Sequence, residues 1–77
     1  MSKSHPVEVI SYSGRRQAER PLSFVWQDHV HRVERLEREW LGPRGPHFLV
    51  RSGDGSRYHL AFRETQDLWL LLPLEDG

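Results

Sequence analysis

The sequence predicts a small all-β domain, an antiparallel and strongly bent sheet of five or six strands that can close as an SH3-like barrel. Three observations predict it. Alanine occurs only at Ala18 and Ala61, which leaves little of the composition that helical bundles use. The apolar runs are short, rich in aromatic and Val residues, and separated by Gly, Asp or Pro. In the clearest run, Pro46 to Phe62, large apolar residues recur at every second position, Phe48 and Val50 before Gly53-Asp54-Gly55 and Tyr58, Leu60 and Phe62 after it.

In chain order, residues 1–5 read as a frayed, disordered terminus. A single β domain follows over 6–74, and 75–77 is an acidic end. Val7, Val9 and Tyr12 form a weak first strand. Ser13 to Arg20 is a polar connector whose one apolar residue is Ala18. Pro21 opens a strand with Leu22, Phe24 and Trp26 on one face, and Asp28-His29 makes a two-residue turn. Residues 30–41 carry two patterns at once. Val33, Leu36 and Trp40 are spaced three and four apart in good helix material. Two residues are too few to let a strand pack onto a following helix, so the segment is expected to be a long bent strand. One bulge near Glu34-Arg35 would bring Val33, Leu36 and Trp40 into phase and bend the strand toward closure.

The register of the next hairpin follows from its apolar residues. A two-residue Asp54-Gly55 loop would pair Val50 with His59 and split the apolar set between faces. A three-residue loop, with Gly55 at positive φ, pairs Val50 with Tyr58 and Phe48 with Leu60, gathering them on one face. Glu64 to Asp67 then turn the chain into Leu68–Leu72, placing Phe62 opposite Trp69 and Leu60 opposite Leu71. By alternation Leu68, Leu70 and Leu72 point away from that face.

Composition limits function. The chain has 77 residues, room for one core, and Leu, Ile, Val and Phe supply 20 of them, enough to fold. It has no cysteine, so disulfides, thiolate metal sites and Cys nucleophiles are excluded, in keeping with a reducing, cytoplasmic location. No apolar stretch is long enough to span a membrane, and Met1 is followed by polar residues rather than a secretory leader. Eleven bases balance eleven acids, and residues 64–77 hold four of the acids and no base. Ten of the bases are Arg, which makes planar bidentate contacts with carboxylates and phosphates. GC-rich coding and surface solubility would also account for that excess.

Catalytic and metal chemistry find little support. His29 and His31 share a strand face, and His47 and His59 are diagonal neighbours about 7–8 Å apart, yet no ligand spacing of a known metal site is present. Asp28 and His29 are adjacent and so face opposite ways, without a nucleophile elbow or Gly-rich loop. No cofactor, metal or catalytic residue is therefore expected. Most of the set Phe24, Trp26, Trp40, Phe48, Tyr58, Phe62 and Trp69 reads as core; Trp26 and Trp40, near strand ends, are the two that could stack on a base.

Two features point outward. Arg51 faces Arg57 across the hairpin, with Arg63 farther along the same face. Like charges directly opposite one another cost a few tenths to about 1 kcal/mol unless an anion lies between them. Such an anion could be internal, from the acids of 34–39, or an external phosphate or carboxylate. Leu49, Leu68, Leu70 and Leu72 form the second feature, an apolar outer patch on the order of a few hundred Å². The N-terminal segment could lie across it.

The motifs Pro21-Leu-Ser-Phe-Val-Trp26, Val33, Leu36, Trp40, Phe48-Leu-Val-Arg51, Gly55, Tyr58-His-Leu60 and Trp69 together resemble an uncharacterised short bacterial all-β domain family. The resemblance covers roughly residues 6–72 and consists of structural positions rather than catalytic ones. Members are often encoded beside Y-family DNA-polymerase-like genes, so the resemblance implies a link to DNA repair. Gln27-Asp28-His29 stands where the family has an Arg-rich turn, and His31 where it has an aromatic. The expected function is a non-catalytic interaction module, binding a protein partner or itself through Leu49, Leu68, Leu70 and Leu72. The alternative is weak nucleic-acid binding through Arg51, Arg57 and Arg63.

Overall fold

The computed structural model describes residues 4–11 and 20–74, which form an all-β fold without helix. Its strands are β1 (His5–Pro6), β2 (Glu8–Ser11), β3 (Pro21–Trp26), β4 (His29–Gly42), β5 (Gly45–Ser52), β6 (Arg57–Arg63) and β7 (Leu68–Leu72). All neighbours are antiparallel in the order β1-β7-β6-β5-β4-β3-β2. From β2 to β7 this is a simple meander. Only Val7 separates β1 from β2, yet β1 pairs with β7 and β2 with β3. The N-terminal segment thus joins the two edges, and the sheet nearly closes into a barrel. The Val7 amide donates to the Trp69 carbonyl at 3.1 Å, continuing that seam.

Seven strands rather than five or six arise because the first strand divides at Val7. It begins at His5, opposite Leu71, one residue before the expected domain boundary. The expected roles of Tyr12, most of the connector and the acidic end lie outside the described residues. The barrel core is Phe24, Phe48, Val50, Leu60, Phe62, Trp69 and Leu71. Val7, Val9, Trp26, Val33, Leu36 and Tyr58 pack against it, half-buried.

The hairpin registers match the alternation argument. Val50 pairs with Tyr58, Phe48 with Leu60, Phe62 with Trp69, and Leu60 with Leu71. Gly55 has φ 89°, and the Ser52 amide donates to the Ser56 carbonyl at 2.9 Å, closing the three-residue loop. The buried Ser52 hydroxyl donates to Asp54, whose Oδ1 also accepts from the Ser56 amide at 3.0 Å.

Three local expectations are corrected. The β3–β4 turn is Gln27-Asp28 rather than Asp28-His29, since Trp26 pairs with His29. Both turn residues have positive φ, 54° and 65°, as in the type I′ turn whose twist suits a two-residue hairpin. Leu22 is 44% exposed, because a bulge pairs Ser11 with Pro21 after Ile10 with Ser23 and leaves Leu22 out of register; Pro21 is buried in its place. The segment 30–41 is the long bent strand expected, but the register shifts twice, between Val33 and Arg35 and between Leu36 and Arg38. The second bulge turns Trp40 out of the core phase, and it becomes the partner of His47.

Candidate functional site

Strand alternation divides β4–β7 into two faces. With Phe48, Val50, Leu60, Phe62, Trp69 and Leu71 inside, the outer face carries His47, Leu49 and Arg51 on β5. His59, Ala61, Arg57 and Arg63 follow on β6, and Leu68, Leu70 and Leu72 on β7. Opposite-residue pairing gives this face its rows. Trp40, His47, Ala61 and Leu70 run across four strands, and Arg38, Leu49, His59 and Leu72 form the row beside them. A third row aligns Arg35, Arg51 and Arg57.

The centre is an aromatic cluster. The Trp40 and His47 rings stack with centroids 5.2 Å apart and only 5° between planes. His59 sits 5.2 Å from Trp40 at a tilt, and His47 Nδ1 lies 2.9 Å from His59 Nε2 in a hydrogen bond. The side chains therefore lean together across the diagonal far more closely than the backbone spacing suggests. Arg38 places its guanidinium 5.2 Å from the Trp40 ring centroid, a cation–π contact. Gly42 makes room for this arrangement, since a Cβ there would come within 2.6 Å of His47 Nε2. Burial holds the His47 imidazole below its ordinary pKa, and the Arg63 charge adds to the effect. Burial lowers His59 too, helped by His47. Both are therefore neutral at pH 7, one nitrogen donating and the other accepting. Among the described residues no group of three or more His, Asp or Glu side chains could hold a metal ion.

The arginine row has an internal counter-ion. Glu37, the extra residue of the second bulge, accepts from Arg51 Nε at 2.9 Å and lies 3.7 Å from Arg57 Nη1. It is one of the acids of 34–39 that the facing arginines called for. Sequence reasoning did not place Arg35 in that row, because the bulge count was needed to do so.

The leucine patch differs from a bare exposed run. Leu70 is only 6% exposed and Leu49, Leu68 and Leu72 are half-buried. Residues 5–11 do not lie across it; they pair edge-on with β7 and β3. The Trp40–His47–His59 cluster, which sequence reasoning did not assemble, occupies the same face. A signal for it existed. Counting back from the Pro43-Arg44 turn, Gly42 meets Gly45 and Trp40 meets His47, the outward neighbour of core Phe48.

The chain matches no family model, and no curated protein or solved structure matches it. Among the described residues, no helix is long and apolar enough to cross a membrane.

Proposed function

We propose that this protein is a non-catalytic interaction module that binds another protein, or a second copy of itself, through the outer face of β4–β7. The observation that carries this reading is the Trp40–His47–His59 cluster, flanked by Leu49 and Leu72 on the side of the sheet away from the core. Trp and Arg are the residues that dominate interface energetics, at the centre of an apolar patch with a polar rim. Here Trp40, 37% exposed, is already held by His47 and Arg38. Little side-chain entropy remains to be lost on binding. Leu70, 6% exposed, offers a partner little surface of its own.

Nucleic-acid binding through Arg51, Arg57 and Arg63 is the second reading, favoured by the arginine row and by the link to DNA repair that the resemblance implies. Glu37 weakens it, since it occupies Arg51 and Arg57 and repels a phosphate backbone. The test is site-specific photo-crosslinking in cell extract, with a benzophenone amino acid replacing Leu49, Leu72 or the exposed Val30, which lies at the β3-paired end of β4. The expected result is one protein species crosslinked from positions 49 and 72 and not from 30. Adducts from all three positions, adducts to nucleic acid alone, or none would overturn the reading; a homotypic adduct identifies the partner as a second copy.

A further inference from the structure

The chain is neutral overall, but its charges are not evenly spread over the barrel. Arg35, Arg51 and Arg57 stand directly opposite one another on three adjacent strands. Arg38 lies on Trp40, and Arg63 completes the outer face of β6. Against these five arginines stand Glu37, which is spent on Arg51 and Arg57, and the exposed Glu34, the extra residue of the first bulge, so arginines outnumber carboxylates. Glu39, opposite Phe48, takes the other side of β4. The face therefore keeps an uncompensated positive charge around an apolar and aromatic centre. Like charges aligned across strands are unfavourable in the free protein, and a partner supplying carboxylates would remove that cost.

We infer that the ligand of this face is an acidic peptide segment with an apolar anchor. Its Asp or Glu side chains engage Arg35, Arg38 and Arg63, and the anchor packs on Trp40, Leu49 and Leu72. Arginine suits this role because its planar fork binds carboxylates in bidentate fashion. A nucleic acid is the less complementary occupant. Its continuous phosphate charge meets the Glu37 carboxylate mid-face. The inference rests on the proposed protein-binding function and adds the chemistry of the partner.

The experiment selects binders to the full chain from a displayed library of random 15-residue peptides. Enriched peptides are then measured by fluorescence anisotropy beside an oligothymidylate of equal length. The expected outcome is enrichment of peptides with a net negative charge and at least one large apolar residue. Arg35→Glu or Arg38→Glu should weaken them about tenfold or more, equivalent to about 1.4 kcal/mol. Arg32→Glu, on the β3 side of β4, should leave affinity unchanged, and thermal melts of all variants check that each is folded. Raising salt from about 0.1 M to about 1 M, which shortens the screening length from about 10 Å to about 3 Å, should weaken binding as well. Enriched peptides without an acidic excess, equal loss in the Arg32→Glu variant, or tighter binding of the oligothymidylate would overturn the inference. A protein crosslinked at positions 49 and 72 alongside non-acidic peptides would leave the module reading intact and defeat only the acidic-ligand inference.

Discussion

Adding one methyl group at position 42 is the most local way to test the aromatic cluster. The Cβ of Gly42→Ala would sit 2.6 Å from His47 Nε2 and 2.9 Å from its Cδ2, and both atoms belong to a movable ring. The ring can swing away, so stability should change little, while Trp40 loses its stacking partner. Tryptophan fluorescence and the His47 imidazole shifts in NMR should change; identical spectra would show that Gly42 does not set the ring position. Gly45 behaves differently. Its φ is 144° and an added Cβ would come within 2.0 Å of the Phe62 carbonyl oxygen, so Gly45→Ala should disrupt the fold. Gly55→Val should cost on the order of 1–2 kcal/mol, since φ 89° strains a β-branched residue even in open space. Gly53→Ala, with nothing near its added Cβ and no left-handed φ, should cost less. The two histidines add a pH dependence. Their folded-state pKa values lie below the ordinary imidazole value of about 6.5, so the unfolded chain binds protons first as pH falls. Stability is thus fully present above about pH 6.5 and declines as pH drops from there toward the lowered folded-state values. The His47→Gln/His59→Gln double variant should flatten the melting-temperature profile between about pH 7.5 and 5.5, and an unaltered slope would locate that titration elsewhere.

At the scale of elements, β4 decides what the barrel shows to solvent. Its two register shifts each add one residue, and the second converts Glu37 into a clamp on Arg51 and Arg57. Glu37→Ala should cost about 1 kcal/mol, the upper end for a partly exposed ion pair, because it also leaves facing arginines uncompensated. Removing Arg57 as well should recover part of that loss. A double-mutant cycle on denaturant midpoints measures the coupling, and strictly additive costs would show that Glu37 does not relieve the Arg51–Arg57 repulsion. The strand also marks where sequence reasoning reached its limit. Val50, Tyr58, Phe48, Leu60 and Trp69 were legible because a period of two and a Gly-bearing loop admit only one register with a single apolar face. The need for an acid beside Arg51 and Arg57 was legible for the same reason. Trp40 was misplaced because a bulge changes parity without leaving a residue signature, and a bulky aromatic fits either side. Leu22 failed in the same way, one bulge earlier. The His47–His59 contact was out of reach for a different reason: alternation fixes Cβ directions, whereas the ring meeting depends on χ angles and on the space left by Gly42.

The whole molecule depends on how its sheet ends meet. A 77-residue chain has a small core, and an open sheet of these strands would leave β7 as an edge bearing buried Trp69, Leu70 and Leu71. Residues 5–11 remove that edge by pairing with β7 through His5 and Pro6 and with β3 through Glu8 to Ser11. Val7 and Val9 face the core as they cross. Closure therefore does two things: it satisfies backbone groups such as the Trp69 carbonyl, and it brings Val7 and Val9 against the core. Deleting residues 1–7 should consequently do more than lose a few contacts. The unpaired β7 edge becomes a template for a second chain, so the truncated protein should melt lower and associate with rising concentration. Each 1 kcal/mol of destabilisation is worth about 4–8 °C at this size, and burial of a Val side chain alone contributes about 1.5 kcal/mol or more. A drop on the order of 10 °C is therefore expected from Val7 and the lost seam together. Val9→Asp is the companion variant, since it should lower the melt by burying a charge while leaving β1 on the β7 edge and the protein monomeric. Light scattering across a concentration series separates the two effects. A truncated chain that melts like the full one, or stays monomeric at every concentration, would mean that the β7 edge is protected by something other than the N-terminal strand.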